Sequence, residues 1–324
     1  MKKIVFLFII TVILASCYDD YIKDFDFDGV YFTYQTNVRT VVVGEGMKIQ
    51  VGVALAGDRE NTRDRTVEFQ IDNSLINAAT LTAMKGGYQY IKDAVATVTE
   101  LKLLPTNYYT LSDNSKMVIK KGDHIGTIVL KPDSAKFLAD AATLVGTYAL
   151  PLRITKADAD TILLSKDYAV IGLKYENMLF GNYWHGGITV EKNGSGVVVS
   201  EKKYYTAIPS PDSKAWKLTT VEPFSLVANG VSDLSSLAKP QIKLTLNGAN
   251  ITVGSVVGAT YQVQPDGEST FNQAKLLQNR KIFLNYKYLN TTGNWCYAKD
   301  TLTFRNRVRD GVNEWLDENP ANYN

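Results

Sequence analysis

Apolar and polar residues alternate along most of this chain, and the alternation predicts β-strands. In residues 48–55, every second position (Ile49, Val51, Val53 and Leu55) is apolar, which is typical of a strand with one buried face. Similar short segments recur up to residue 175, separated by Gly, Asp and Asn, and only residues 74–98 have the composition of a short helix. About seven strands in roughly 145 residues predict a β-sandwich over residues 29–176.

A second β-pattern begins at residue 177 and consists of hairpins. Glycine-containing turns at 192–196, 247–248 and 292–294 each separate two alternating segments, and Asn-Gly between such segments is a strong hairpin signal. In residues 282–288 the even positions are apolar or aromatic, and so should share one face. Successive hairpins predict an antiparallel up-and-down barrel over residues 177–324. The expected fold class is therefore all-β, a sandwich followed by a barrel.

The first sixteen residues differ from everything that follows. Lys2 and Lys3 precede an apolar run from Ile4 to Leu14, after which small residues lead to Cys17. This is the pattern of a secretory signal peptide over residues 1–16. A run of about a dozen apolar residues is too short for a transmembrane helix, which needs about 20.

Charge and composition exclude some functions. The chain has 35 Lys plus Arg against 33 Asp plus Glu, and loss of Lys2 and Lys3 with the signal peptide makes the two counts equal. A neutral surface gives no general attraction to polyanions, so nucleic acid is not an expected partner. With only two His and two Cys, of which Cys17 follows the signal peptide, neither a disulfide at Cys296 nor a structural zinc site is expected.

Two charged segments each allow more than one interpretation. Asp24 to Gly29 begins like an EF-hand loop, but Gln35 occupies the position of the bidentate glutamate and a strand follows instead of a helix. Residues 17–28 are therefore interpreted as a solvated acidic tether. Arginines at the alternate positions 305, 307 and 309 suggest either an anion site or an ion-pair network with nearby carboxylates, and the network is favoured.

Catalytic motifs are absent from the sequence, and no cofactor or metal is expected. There is no Gly-x-Ser-x-Gly, His-Glu-x-x-His or phosphate-binding glycine loop. His124 is interpreted as a surface residue, whereas His185 follows Trp184 at the expected barrel mouth. A glycoside hydrolase needs only two suitably spaced carboxylates, so that enzyme class stays an alternative.

Six segments carry a resemblance to a known family. Leu14-Ala-Ser-Cys17 resembles the lipobox of bacterial lipoproteins, and Asp19-Asp20 resembles the surface-export signal of Bacteroidetes lipoproteins. Residues 104–111 and 119–123 resemble an immunoglobulin-like domain of unknown function that begins many of these lipoproteins. The opening Gly-x-aromatic-aromatic of the second half resembles a lipocalin-like (calycin) barrel, and residues 300–316 resemble the companion domain of unknown function.

The resemblance implies a location and partners. It implies lipidation at Cys17, export by Asp19 and Asp20, and an outer-membrane position facing the cell exterior. It also implies a polysaccharide utilisation system, in which the chain would bind a polysaccharide or oligosaccharide beside a TonB-dependent transporter and its binding lipoprotein.

The expected function is non-catalytic glycan binding, with a glycoside hydrolase or a lipid or small-molecule carrier as alternatives. Sugars pack on exposed aromatic rings and need polar neighbours, and three stretches of the second half offer that mixture. The candidate ligand-binding residues are Tyr183, Trp184, His185, Tyr204, Tyr205 and Trp216. Trp216 is the strongest candidate because it follows a loop rich in Pro, Ser and Asp. Trp295 and Trp315 are assigned to the core.

Overall fold

The protein is built almost entirely from β-strands, in two successive units. The computed structural model describes residues 27–204 and 214–316. The all-β fold class, a sandwich followed by a barrel, is confirmed. The first unit contains β1 (Gly29–Tyr31), β2 (Thr36–Val43), β3 (Ile49–Ala56), β4 (Arg65–Ile71), β5 (Lys102–Leu103), β6 (Tyr109–Leu111), β7 (Lys116–Ile119), β8 (Ile125–Pro132), β9 (Tyr148–Ala157), β10 (Thr161–Ile162) and β11 (Tyr168–Asn177). Its helices are α1 (Ala78–Gly86), α2 (Gln89–Ala94) and α3 (Ser134–Ala139).

Two sheets form the sandwich. One has the order β10-β1-β3-β8-β6, the other β2-β11-β9-β4-β7, with β5 added beside β9. Because the strands alternate, their apolar faces meet in a common core that includes Val51, Leu130 and Leu150. The outer face of the second sheet is covered by α1 and α2, whose Met84 and Ile91 belong to a second apolar cluster. Residues 74–98 thus form two short helices that place Tyr88 and Tyr90 beside β2.

The second unit is a closed barrel of eight strand positions. Its strands are β12 (Gly181–Lys192), β13 (Val198–Tyr204), β14 (Lys214–Glu222), β15 (Ser225–Ala228), β16 (Ile242–Asn247), β17 (Asn250–Ser255), β18 (Val263–Pro265), β19 (Ser269–Phe271), β20 (Lys281–Leu289), β21 (Trp295–Arg309) and β22 (Val312–Glu314). Strands β13 and β14 pair with the two halves of β12, and β18 and β19 with two parts of β20. Pairing between β12 and β21 closes the ring.

The three predicted hairpins are confirmed. They connect β12 to β13, β16 to β17, and β20 to β21. Along β20, the even-numbered residues of 282–288 are buried and belong to the barrel core, while Lys281 and Phe283 face outward. The interior is packed with apolar side chains contributed by all eight strand positions. In the part of the chain that is described, no helix is both long and apolar enough to cross a membrane.

The two units meet over a buried junction. The last ladder of the sandwich ends at Asn177, and the first ladder of the barrel begins at Gly181. Asn177 is buried, and its side chain donates to Pro223 O and accepts from Leu179 N. The Glu45 carboxylate of the sandwich accepts hydrogen bonds from both terminal nitrogens of Arg307, each at 2.8 Å. One of its oxygens also lies 2.7 Å from a terminal nitrogen of Arg280. The junction therefore contains an ion-pair network between the two units.

The end of the predicted tether is part of the fold. Asp28 was assigned to a solvated segment, but it is buried. Its Oδ1 accepts from Asp160 N at 2.7 Å, and its Oδ2 lies 2.6 Å from an Arg65 nitrogen. The tether interpretation is wrong at this residue because a buried arginine needs a carboxylate partner here.

Candidate functional site

The strongest sequence candidate, Trp216, lies inside the barrel and not on a loop. It is the third residue of β14 and is 0% exposed, as are Tyr183 and His185 on β12. Trp216 stacks on His185 with ring centroids 4.2 Å apart, and His185 contacts Tyr204 at 5.0 Å. The structure thus brings these candidates together, but as barrel core. The expectation that Trp216 is exposed is wrong.

A polar cluster surrounds His185 within the barrel. Asp300 accepts hydrogen bonds from Tyr204 and Tyr286, both at 2.6 Å, and its Oδ2 lies 3.2 Å from His185 Nε2. That contact has the distance of an ion pair but not the alignment of a hydrogen bond. Burial, together with the charge of Asp300, raises the pKa of both tyrosines well above the ordinary value. Because His185 and Asp300 are enclosed, a polysaccharide has no access to them.

The remaining sequence candidates have different positions. Trp184 is half-buried on the outside of the barrel, with the Arg305 guanidinium 4.4 Å from its ring centroid. Trp295 is half-buried. Trp315 is 62% exposed, so the assignment of Trp315 to the core is wrong. Tyr205, and with it Cys17, Asp19 and Asp20, lies outside the described residues.

Two cavities lie between the sandwich and the barrel, and together they are called the interdomain groove. The larger cavity has a volume of about 740 Å³ and is lined by the sandwich side chains of Tyr34, Asn37 and Gln50 and by Arg309 and Val312 near the end of the barrel domain. The smaller has a volume of about 340 Å³. A volume of several hundred Å³ with convergent polar groups is typical of a ligand site.

Three tyrosines of the sandwich form a group that is called the tyrosine cluster; Tyr34 and Tyr90 line the larger cavity, and Tyr88 contacts both of their rings. Tyr34 is 47% exposed and Tyr88 is 62% exposed. Tyr88 meets Tyr34 edge-on and lies parallel to Tyr90, each pair with centroids 6.2 Å apart. Tyr90 donates to Asn37 Oδ1 at 2.8 Å, and burial raises its pKa. Aromatic rings that remain exposed beside polar side chains are a typical interaction surface.

The tight turn at Asp310-Gly311 joins the barrel domain to this surface. Arg39 Nε and Thr40 N both donate to the Asp310 carboxylate at 2.9 Å. Gly311 has φ +81°, and an added Cβ would lie 2.8 Å from a Tyr90 ring carbon. The turn therefore requires glycine both for its backbone and for its close contact with Tyr90. Burial raises the pKa of Asp310 despite the nearby Arg39.

Every carboxylate that lines the larger cavity has an arginine partner. Glu45 pairs with Arg307, Glu314 bonds Arg307 and Arg309, and Asp310 pairs with Arg39. The network favoured for the alternate arginines is therefore present at Arg307 and Arg309, with the buried partner Glu45 contributed by the other unit. Arg305 instead lies over Trp184.

Comparisons with known proteins support the fold and give no activity. Residues 23–161 match a family model described as "-like, N-terminal domain". A crystal structure of a Bacteroides ovatus protein of unknown function has a TM-score of 0.63 at 21% sequence identity, covering 91% of this chain and 99% of that chain. A second Bacteroides ovatus protein of unknown function has a TM-score of 0.43 at 11% identity, covering 90% and 100%. No curated protein matches the chain.

Proposed function

We propose that this protein is a non-catalytic, glycan-binding lipoprotein of the cell surface, and that it binds sugar at the tyrosine cluster and the interdomain groove. The observation that carries the proposal is the exposed aromatic surface of Tyr34 and Tyr88, which contact each other edge-on, with Tyr34 lining a polar cavity. Pyranose rings present flat C–H faces to such rings, while their hydroxyls bond amides like those of Asn37 and Gln50. The candidate site thus lies on the sandwich, not at Trp216.

The position of the groove suits a protein anchored at its N-terminus. Phe27 adjoins Gly57, just past the end of β3, whereas Ile49 at the start of β3 lines the larger cavity. Eight strand residues at about 3.3 Å each separate these ends by ~26 Å. A lipid at Cys17 would therefore leave the groove on the far side of the sandwich, accessible to a polysaccharide and to a TonB-dependent transporter with its binding lipoprotein.

The two alternatives have less support. A glycoside hydrolase needs one carboxylic acid and one free carboxylate beside the substrate, but the carboxylates of the larger cavity all engage arginines. A carrier needs space inside the barrel, but the described interior is packed around Trp216, Tyr286 and Leu302. Glycan binding uses the exposed rings without requiring either feature.

Affinity electrophoresis of the soluble mature protein tests this proposal. The gels contain starch, xylan, galactomannan, xyloglucan or homogalacturonan, and at least one should retard the wild type. Tyr88→Ala should weaken that retardation about tenfold or more, since a central aromatic contact contributes about 2 kcal/mol or more to binding. The melting temperature should stay within a few degrees because Tyr88 is largely exposed.

The matched control is Phe283→Ala, which removes an outward-facing ring from β20 away from the groove. It should bind like the wild type. If none of the polysaccharides retards the wild type, the tyrosine cluster is not a glycan site. The same conclusion follows if Tyr88→Ala is retarded as strongly as Phe283→Ala and the wild type.

A further inference from the structure

We infer that the ligand is an extended polysaccharide segment that contacts both units at once, running from the tyrosine cluster across the Asp310-Gly311 turn to the outer wall of the barrel. This inference rests on the proposed function and specifies the length of its ligand. It depends on the second cavity and on a row of asparagines that begins there.

The two cavities of the interdomain groove are adjacent. Thr40, Tyr90 and Asp310 line both. The turn at Asp310-Gly311 lies between them, and the strand residues on either side of it, Val308 and Val312, are more than half exposed. Val308 lines the smaller cavity and Val312 the larger. A chain molecule can thus contact both cavities by crossing over the exposed turn.

A row of asparagines on the barrel begins at the smaller cavity and is here called the asparagine ladder. Asn182, which lines this cavity, donates to Asn306 Oδ1 at 3.3 Å, and Asn306 donates to Asn313 Oδ1 at 2.6 Å. Each side-chain amide has two donor hydrogens and an acceptor oxygen with two lone pairs, so the ladder leaves further bonding capacity toward solvent. Amides arranged in a row at the surface suit the repeated hydroxyls of a sugar chain.

Aromatic rings flank the asparagine ladder. Trp184 is two residues beyond Asn182 on β12, with Arg305 over its ring at 4.4 Å. On β22, Glu314 bonds Arg307 while Asn313 bonds Asn306 on the opposite side. Trp315, which is 62% exposed, follows directly after this strand. The ladder therefore has the same combination of ring and amide as the tyrosine cluster, on the opposite side of the turn.

Most charged groups along this path are already paired. Lys174 and Glu176 bond each other at 2.6 Å beside the smaller cavity, as Arg39 and Asp310 do at 2.9 Å between the cavities. The unused hydrogen-bonding capacity is thus mainly that of amides and hydroxyls. Such groups bind a sugar chain by many weak contacts, whose number grows with the length of the chain.

The test compares ligand lengths and the two walls. The probe is the panel polysaccharide that retards the wild type, together with size fractions of its own partial hydrolysate, and binding is measured by calorimetry. Affinity should rise at least about tenfold from the disaccharide to the longest oligosaccharide. Asn306→Ala should weaken binding of long chains about fivefold or more and leave short fragments unaffected, whereas Tyr88→Ala should weaken both.

Asn250→Ala is the matched control because it removes an exposed asparagine from β17, away from the groove. Asn313→Ala, at an exposed position of β22, replaces Asn306→Ala if that variant fails to fold. If short fragments bind as tightly as the polymer, or if both ladder variants bind long chains like the wild type while Tyr88→Ala does not, the site is confined to the tyrosine cluster. If the wild type binds no panel member, the proposed function itself fails.

Discussion

Glu45→Gln tests the buried junction between the two units. The Glu45 side chain is 5% exposed, and those of its partners Arg280 and Arg307 are 0% and 1% exposed. Glutamine has nearly the same shape, but it removes the charge that these two buried guanidinium groups share. We therefore expect a large loss of stability from a single isosteric substitution, although Glu45 is far in sequence from both arginines.

The size of the loss follows from the bonds that remain. Removing one partner of a buried ion pair costs about 3–5 kcal/mol. Arg307 keeps Glu314 at 2.5 Å, and Arg280 still donates to the carbonyls of Met178, Ala274 and Lys275. These bonds place the expected loss at the lower end, about 3 kcal/mol, which lowers the melting temperature of a protein of this size by roughly 5 °C.

Urea denaturation of the full mature chain measures the effect, because urea is uncharged and does not screen the ion pairs. Glu222→Gln is the control. Its partner Lys243 is 2.9 Å away, but Glu222 is 58% exposed, so the expected change is under about 1 kcal/mol. If Glu45→Gln unfolds within about 1 kcal/mol of the wild type, the buried arginines do not depend on the charge of Glu45 for their stability.

The pH dependence provides a second readout of the same variant. Burial acts to raise the pKa of Glu45, but the hydrogen bonds and charges of Arg307 and Arg280 outweigh it, so the pKa lies below the ordinary value of 4.5. A carboxyl with a lowered pKa in the folded state stabilises the fold above its unfolded pKa and loses that contribution as the pH falls through the folded value. The stability difference between wild type and Glu45→Gln should thus be largest above pH 4.5 and should shrink below it. If the stability difference between the two proteins does not change with pH, the charge of Glu45 is not the source of that difference.

Two other predictions concern the barrel and the anchor. Gly230→Ala should cost about 1–3 kcal/mol in a thermal melt, because its Cβ would lie 2.1 Å from Trp216 Nε1, while Gly194→Ala, with no atom within 4 Å, should melt like the wild type. An unchanged melt for Gly230→Ala would mean that Trp216 has room to move. Cys17→Ala should abolish lipid labelling. The double variant Asp19→Ala with Asp20→Ala should stay anchored but be protected from protease added to intact cells. If the protease digests this double variant like the wild type, the two aspartates are not an export signal.

The strands and hairpins were predictable because their signals are local. Alternation along β3 and β20 reports which face is buried, and glycine turns mark where a strand reverses. The same alternation was available for Trp216. In β14, Trp216, Leu218 and Thr220 are buried while Lys217 and Thr219 are exposed, so the pattern of residues 214–222 already indicated the core. The Pro, Ser and Asp composition of the preceding residues is the weaker signal.

The candidate site was not predictable because its parts are distant in sequence. Tyr34 lies before β2, whereas Tyr88 and Tyr90 lie at the start of α2, and only the packing of this helix on the sheet brings the rings together. Likewise, Asn182 and Asn306 are 124 residues apart in the sequence and meet only because β12 pairs with β21. Nothing in a local pattern specifies such pairs. A Tyr-x-Tyr segment after two glycines was the available hint at residues 86–90.

The closing pair β12 and β21 also determines when the protein can become complete. These strands begin the barrel and nearly end it, so the ring stays open until the last long strand is available. The same strand leads into the Asp310-Gly311 turn and supplies Arg307 to Glu45. During synthesis from the N-terminus, the sandwich is free to fold early, while the barrel, its junction with the sandwich and the groove all wait for one late segment. A nascent chain of this topology therefore stays unclosed until β21 is made, and the interdomain groove is completed in the same final step.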